Sequence, residues 1–202
     1  MTDEDTRTRQ RYAWAIRLFG SAQIAFFLCL LLCVLIIPNG LLANHGYCFY
    51  GEQEQTRFIY RLSFALTGLL TCVSALCMPN AAPFRVIRAV FLLLLPLFLG
   101  LVLTTSSYSR AISLLHVRIG TVLFMLQALL AAWLTFIGCR DRRNYTLFAT
   151  LFFGGVMTLL SLYIIIPLLI EGQIIFQLAF GMLVIHSLCL LQMHIDDHPT
   201  AA

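Results

Sequence analysis

The chain has 202 residues, 60% of them apolar and 11% charged, where a soluble domain carries roughly 25% charged residues. A water-soluble fold of this size lacks the surface charge it needs, so the sequence reads as one integral membrane domain with no soluble domain attached. The net charge of +4 comes from arginines scattered near segment ends rather than gathered on a stripe, which excludes a nucleic-acid-binding surface.

Residues 1–11 form a hydrophilic tail of mixed sign. The apolar run at 12–38 is too long for a signal-peptide core and ends in no small-x-small cleavage site, so it reads as an uncleaved anchor and first span. An outer loop follows at 39–57, "NGLLANHGYCFYGEQEQTR", whose aromatic and acidic residues suit an interfacial lid. Five further apolar segments lie at 58–78, 86–103, 111–138, 147–170 and 173–193, near or above the roughly 18 residues that let a helix cross about 30 Å of hydrocarbon. Turn residues separate them at "MPNAAP", "TTSSYS", "GCRDRRN" and "EG". Residues 194–202 are a second tail. The expected fold is all-α, a polytopic membrane bundle of six transmembrane helices spanning 12–193.

Arginine bias orients it. With the N-terminus cytoplasmic, Arg7, Arg9, Arg11, Arg17, Arg85, Arg88, Arg140, Arg142 and Arg143 lie inside and Arg57, Arg61, Arg110 and Arg118 outside. Both termini are therefore expected in the cytoplasm, with the chain in a bacterial cytoplasmic membrane. Cys29, Cys33, Cys72, Cys77 and Cys189 lie in apolar runs, Cys139 at a basic turn and Cys48 in the outer loop, so no disulfide framework is implied. Cys29 and Cys33 are one helical turn apart but lack His or acidic partners for a metal, and read as small buried hydrophobes.

Arg61, Arg118 and Gln177 open the three helices that descend from the outer side, 57 and 59 residues apart. Each is followed by a branched aliphatic and a small residue: Leu62-Ser63, Ile119-Gly120 and Leu178-Ala179. The ascending helices each carry a proline, at Pro38, Pro96 and Pro167. The pattern reads as three helical hairpins; a worn triplication and chance recurrence among apolar helices both account for it.

The outer rim holds the candidate ligand-binding residues Arg61, Arg118, His116, Gln177, Tyr60, Glu171 and Gln173. A guanidinium matches phosphate or carboxylate in a two-pronged fashion, so two arginines converging on one hollow would take an anionic headgroup. The plainer account has each arginine lifting its head to water or pairing with a glutamate. His116 shares a helix face with Gly120 and would either exchange a proton with a ligand or serve as a hydrogen-bonded structural residue. Gln127 and Gln23, at comparable depth, read as amides that hold helices together, and Gly154-Gly155 as a point of close helix approach or a bend. His194 and His198 have zinc-compatible spacing but belong to a solvated tail, and His186 lacks a sequence-local partner.

HExxH, a Gly-rich phosphate loop and a glycine-flanked serine elbow are all missing. No Asp or Glu falls near the midplane of a span, which weakens ion-coupled transport. No catalytic residue, metal or cofactor is expected.

The six-span layout, the loop "NHGYCFYGEQEQTRFIYRLSFAL" and the opening "LLHVRIGTVLF" resemble the Frag/DRAM/Sfk-type membrane families and related uncharacterised bacterial six-helix proteins. In that resemblance His116 corresponds to a histidine that opens the helix, and Arg118 is a departure. Eukaryotic relatives are linked to lipid remodelling, lipid distribution and autophagy, which implies a lipid-related role. The expected function is non-enzymatic binding of an anionic lipid headgroup or similar ligand in an outer-facing pocket, with membrane lipids as partners. Arg61 and Arg118 supply charge, Gln177 and His116 supply hydrogen bonds, and Tyr60 closes over the top with the Tyr47–Tyr50 loop. The alternatives are an accessory subunit packing on a membrane-protein partner or a second copy, a small transporter, and an intramembrane lipid-modifying enzyme. The last would use His116 with Glu52, Glu54 or Glu171 as acid and base.

Overall fold

The computed structural model describes residues 3–42, 46–79, 82–105, 110–164 and 168–197. Helix α1 (Asp3–Ile36) leads through a 3-10 turn at Pro38–Leu42 to the short α2 (Cys48–Glu52). Then come α3 (Arg57–Cys77), α4 (Ala82–Thr104), α5 (Arg110–Trp133) with a π-helical extension at Leu134–Gly138, α6 (Arg142–Ile164) and α7 (Leu169–Asp197). Six of these helices are long and apolar enough to cross a membrane. Hydrocarbon offers the backbone no hydrogen-bond partner, so each crossing segment must satisfy its own peptide groups, and a helix does so within the segment. The chain is an all-α, multi-pass membrane protein.

Several helix bounds differ from the sequence reading, with α6 starting at Arg142 and α7 running on to Asp197; two differences matter most. Helix α1 has 34 residues and at roughly 1.5 Å per residue is about 50 Å long, so the hydrophilic residues from Asp3 onward prolong the first helix beyond the bilayer. The break between the last two spans falls after Ile164 and before Leu169, not at Glu171-Gly172, which lie inside α7. The sequence there contains Pro167, which has no amide hydrogen to continue a helix; that residue lies outside the described ones, as does His198.

Consecutive long helices run antiparallel. Ser74 Oγ donates to the Ala15 carbonyl at 2.7 Å and Thr67 Oγ1 to that of Ala22 at 3.4 Å, joining α3 to α1. Tyr12 OH donates to the Leu188 carbonyl at 2.9 Å, joining α1 to α7. Helix α4 packs between α3 and α5, and α7 touches α1, α5 and α6. Phe19 holds the centre, stacked on Phe91 of α4 at 4.8 Å and edge-on to Phe180 of α7. The three hairpins of the sequence pattern, α1–α3, α4–α5 and α6–α7, are each a packed pair.

Amides tie α5, α7 and α1 together within the apolar core. Gln127 Nε2 donates to Gln177 Oε1 at 3.2 Å, and Gln177 Nε2 donates to Gln23 Oε1 at 3.1 Å. Gln23 and Gln127 are buried, and Gln177 stands between them as a third member, not at the outer rim where its place in the sequence pattern puts it. Gln177→Leu removes both bonds and strands two amides in hydrocarbon, with an expected cost of about 1–2 kcal/mol. Reversible unfolding in mixed micelles measures it; an unchanged free energy would show the amide chain to be energetically idle.

At the end bearing the termini, the α5–α6 turn is fastened to α7. Asn144 Nδ2 donates to the Cys139 carbonyl at 2.9 Å and to Ser187 Oγ at 3.0 Å. Asp141 accepts the Arg143 N–H at 2.9 Å and lies 3.0 Å from His186 Nε2. The bond from His186, with that from the Arg143 amide, holds the Asp141 carboxyl below its usual range.

Candidate functional site

The site is built at the other end, where the first loop folds in against the helix ends. Gly46 sits at φ +60°, a left-handed conformation natural to glycine. A Cβ there would come within 2.8 Å of Gln173 Oε1, the oxygen that accepts the Tyr47 N–H at 2.9 Å. The Tyr47 ring packs on Phe26, Tyr60 and Phe64, and its hydroxyl lies 3.0 Å from Ser63 Oγ. Thr56 Oγ1 donates to the Tyr50 carbonyl at 2.7 Å, closing the far side of α2. Tyr50 and Tyr60 are fully buried. The expected lid is therefore a wedge of aromatic rings driven into the bundle.

This wedge turns Cys48 toward α4 and α5. Its Sγ lies 3.0 Å from His116 Nε2, and Tyr60 OH donates to it at 3.7 Å. The other imidazole nitrogen, Nδ1, is 2.8 Å from Thr104 Oγ1, and that hydroxyl is 2.7 Å from the Gly100 carbonyl. Hydrogen bookkeeping assigns the tautomer. The one hydroxyl hydrogen of Thr104 goes to the carbonyl, so Oγ1 accepts from Nδ1–H; Nε2 then carries the lone pair and accepts from the Cys48 S–H. The order is thiol, imidazole, hydroxyl, carbonyl.

Burial pushes the Cys48 thiol up from its ordinary value; the Tyr60 hydroxyl and the cysteine's own backbone N–H oppose this, and Glu52 adds to it. Burial likewise raises Tyr47, with the Ser63 bond opposing. The folded protein thus holds both protons more tightly than the unfolded chain, whose free thiol ionises near about pH 8.5. Their stability contribution is complete below that pH and is lost as pH rises through the folded values. Melting temperature is expected to fall above about pH 8.5, less steeply in Cys48→Ala; parallel profiles for the two proteins would contradict this.

Of the residues singled out from sequence, His116 and Tyr60 meet here at Cys48, and Gln173 holds the preceding peptide. Gln177 belongs to the amide chain. Arg118 is exposed; two residues beyond His116, it lies about 200° round the helix from it. Arg61 is half-buried beside Tyr60, and Glu171 is half-buried in the first turn of α7. The equivalent positions Arg61, Arg118 and Gln177 therefore have three different surroundings. A shallow apolar depression between α1 and α7 is lined by Phe26, Leu30, Tyr47, Ile170, Gln173 and Ile174, and neither arginine borders it. Both nitrogens of His116 are taken by Cys48 and Thr104, so its hydrogen-bond partners are a thiol and a hydroxyl rather than a glutamate. Cys48 and Thr104 are the participants that sequence reasoning missed. The available signal was a cysteine in a polar loop together with a histidine opening a helix elsewhere.

Among the described residues no group of three or more His, Cys, Asp or Glu side chains is placed to hold a metal ion. Comparison with protein-family models, with curated proteins and with solved structures finds no match, and the site is characterised by its own geometry.

Proposed function

We propose that this membrane protein carries a reactive thiol, with Cys48 as nucleophile, His116 as its general base and Thr104 as the residue that orients the base. The observation that supports it is the 3.0 Å contact between Cys48 Sγ and His116 Nε2, with Nδ1 tied to Thr104. A thiol kept protonated by burial is a weak nucleophile until a base removes its proton as the new bond forms, and the lone pair on Nε2 is aimed for that step. The arginine bias supports placing this end on the outer face of the membrane.

The test is site-resolved alkylation of the full-length protein in lipid nanodiscs, with Cys48 followed by peptide mass spectrometry. Cys48 should label with iodoacetamide at neutral pH, and His116→Gln should slow it strongly. Equal rates in the two proteins would reduce the contact to a loop fastening.

The headgroup pocket expected from sequence is the weaker proposal, because Arg118 lies on the helix face away from His116. Arg61→Gln with Arg118→Gln should then leave co-purifying anionic lipid unchanged in native mass spectra; its loss would restore that proposal.

A further inference from the structure

We infer that Cys48 is an acyl-carrying catalytic cysteine: it takes a long-chain acyl group from an ester or thioester onto Sγ, with the Tyr60 hydroxyl stabilising the oxyanion. The inference deepens the reactive-thiol proposal and rests on it.

Three features select acyl chemistry among the reactions a thiol can perform. The first is the second donor at the sulfur. Tyr60 OH reaches Sγ at 3.7 Å from the side of α3, whereas His116 approaches from α5. A carbonyl carbon bonded to Sγ would place its oxygen within reach of that O–H, where charge develops in acyl transfer. Tyr60 is fully buried and fixed: a Cβ on Gly51 would meet its ring at 2.8 Å. The second feature is what surrounds the sulfur. The hydrogen-bond partners of Cys48 are an imidazole and a phenol, with no second thiol among them to support disulfide exchange. The third feature is the outer surface. Leu103 precedes Thr104 and is 80% exposed, and Leu114 and Leu115 precede His116 at 54% and 49% exposed. In a multi-pass membrane protein such side chains face lipid, so an acyl chain lying along them would keep its hydrocarbon out of water while its carbonyl reaches the helix ends.

The step balances without an added oxidant or reductant. His116 Nε2 takes the Cys48 proton as sulfur attacks the carbonyl carbon, forming the C–S bond and placing the carbonyl electron pair on oxygen, opposite Tyr60 O–H. Collapse breaks the bond to the leaving oxygen or sulfur, and His116 returns the proton to that leaving group. The products are an S-acyl Cys48 and a free alcohol or thiol. The donor is a glycerolipid ester or a soluble acyl thioester; both present the same carbonyl.

The experiment uses the full chain in nanodiscs of phosphatidylglycerol and phosphatidylethanolamine with deuterated palmitoyl chains. A parallel arm uses unlabelled lipid with palmitoyl-coenzyme A added. The expected result in either arm is one palmitoyl mass on Cys48, released by neutral hydroxylamine and absent from Cys48→Ala, with the arm identifying the donor. Tyr60→Phe should slow acylation at least about tenfold more than it slows iodoacetamide labelling, because alkylation forms no oxyanion. His116-dependent alkylation with no acyl adduct from either donor would overturn this inference and leave the reactive thiol standing. Alkylation independent of His116 would remove both, and equal slowing of the two reactions by Tyr60→Phe would overturn the oxyanion role.

Discussion

Gly154→Ala is expected to be among the most damaging single-methyl additions to this chain, costing about 3 kcal/mol of bundle stability. A Cβ at Gly154 would stand 2.6 Å from the Phe176 backbone nitrogen and 2.9 Å from the Gly172 carbonyl oxygen. The contact is reciprocal, since a Cβ at Gly172 would meet the Thr158 nitrogen at 2.7 Å and the Gly154 carbonyl at 2.9 Å. These are main-chain atoms of a neighbouring helix, so no rotamer change can relieve the clash, and α6 and α7 must separate. Separation also disturbs the Phe124–Phe176 stack, whose centroids are 3.7 Å apart, and with it the seat of α5. Without a hydrophobic drive between helices in lipid, close backbone approach supplies much of the attraction, and one methyl removes it. Gly155 is the internal control, because a Cβ there meets the Phe124 ring at an ordinary 3.4 Å. Unfolding free energies in mixed micelles should show Gly155→Ala near wild type and Gly154→Ala far below it. Similar losses would mean that the close approach of α6 to the α7 backbone at Gly154 does not set the cost, since helix propensity favours alanine at both positions.

The two glycines also show where sequence reading stops. Spans were legible because the bilayer demands a fixed apolar length, and hydropathy reports that directly. Gly154 was legible as a close-approach residue. Its counterpart Gly172 reads as punctuation, because Glu171-Gly172 looks like a turn when viewed along the chain. In the fold Glu171 lies in the first turn of α7, where a carboxylate complements the helix dipole, and Gly172 is small because α6 crosses there. The site shows the same limit. His116 stood out as a polar residue in an apolar helix, but its partner Cys48 is 68 positions away and belongs to a loop with no periodicity. Matching positions along the chain mislead in a related way. Arg61, Arg118 and Gln177 occupy matching places along their helices, yet the rotation of each helix decides which neighbour its side chain meets. That rotation is set by packing, as in the turn of Gln177 toward Gln23 and Gln127.

The largest effect on chemistry is expected from the imidazole and its hydroxyl partner. General-base assistance typically contributes on the order of 10²–10⁴-fold, so His116→Gln should lower neutral-pH alkylation of Cys48 by about 100-fold. Thr104→Val keeps the shape of the side chain but removes the acceptor for Nδ1–H. The imidazole can then move its proton to Nε2, where it faces the thiol with a hydrogen instead of a lone pair, and a loss of roughly tenfold is expected. Thr104→Ser restores the acceptor and should restore the rate; a purely steric role for Thr104 predicts the reverse ranking, with valine closer to wild type than serine. The pH profile separates a base from a structural prop. Burial raises the Cys48 thiol, so as pH climbs toward its folded value, hydroxide forms the thiolate unaided and the variants should converge. A His116→Gln deficit that persists undiminished at high pH would mean that the imidazole shapes the loop without taking the proton.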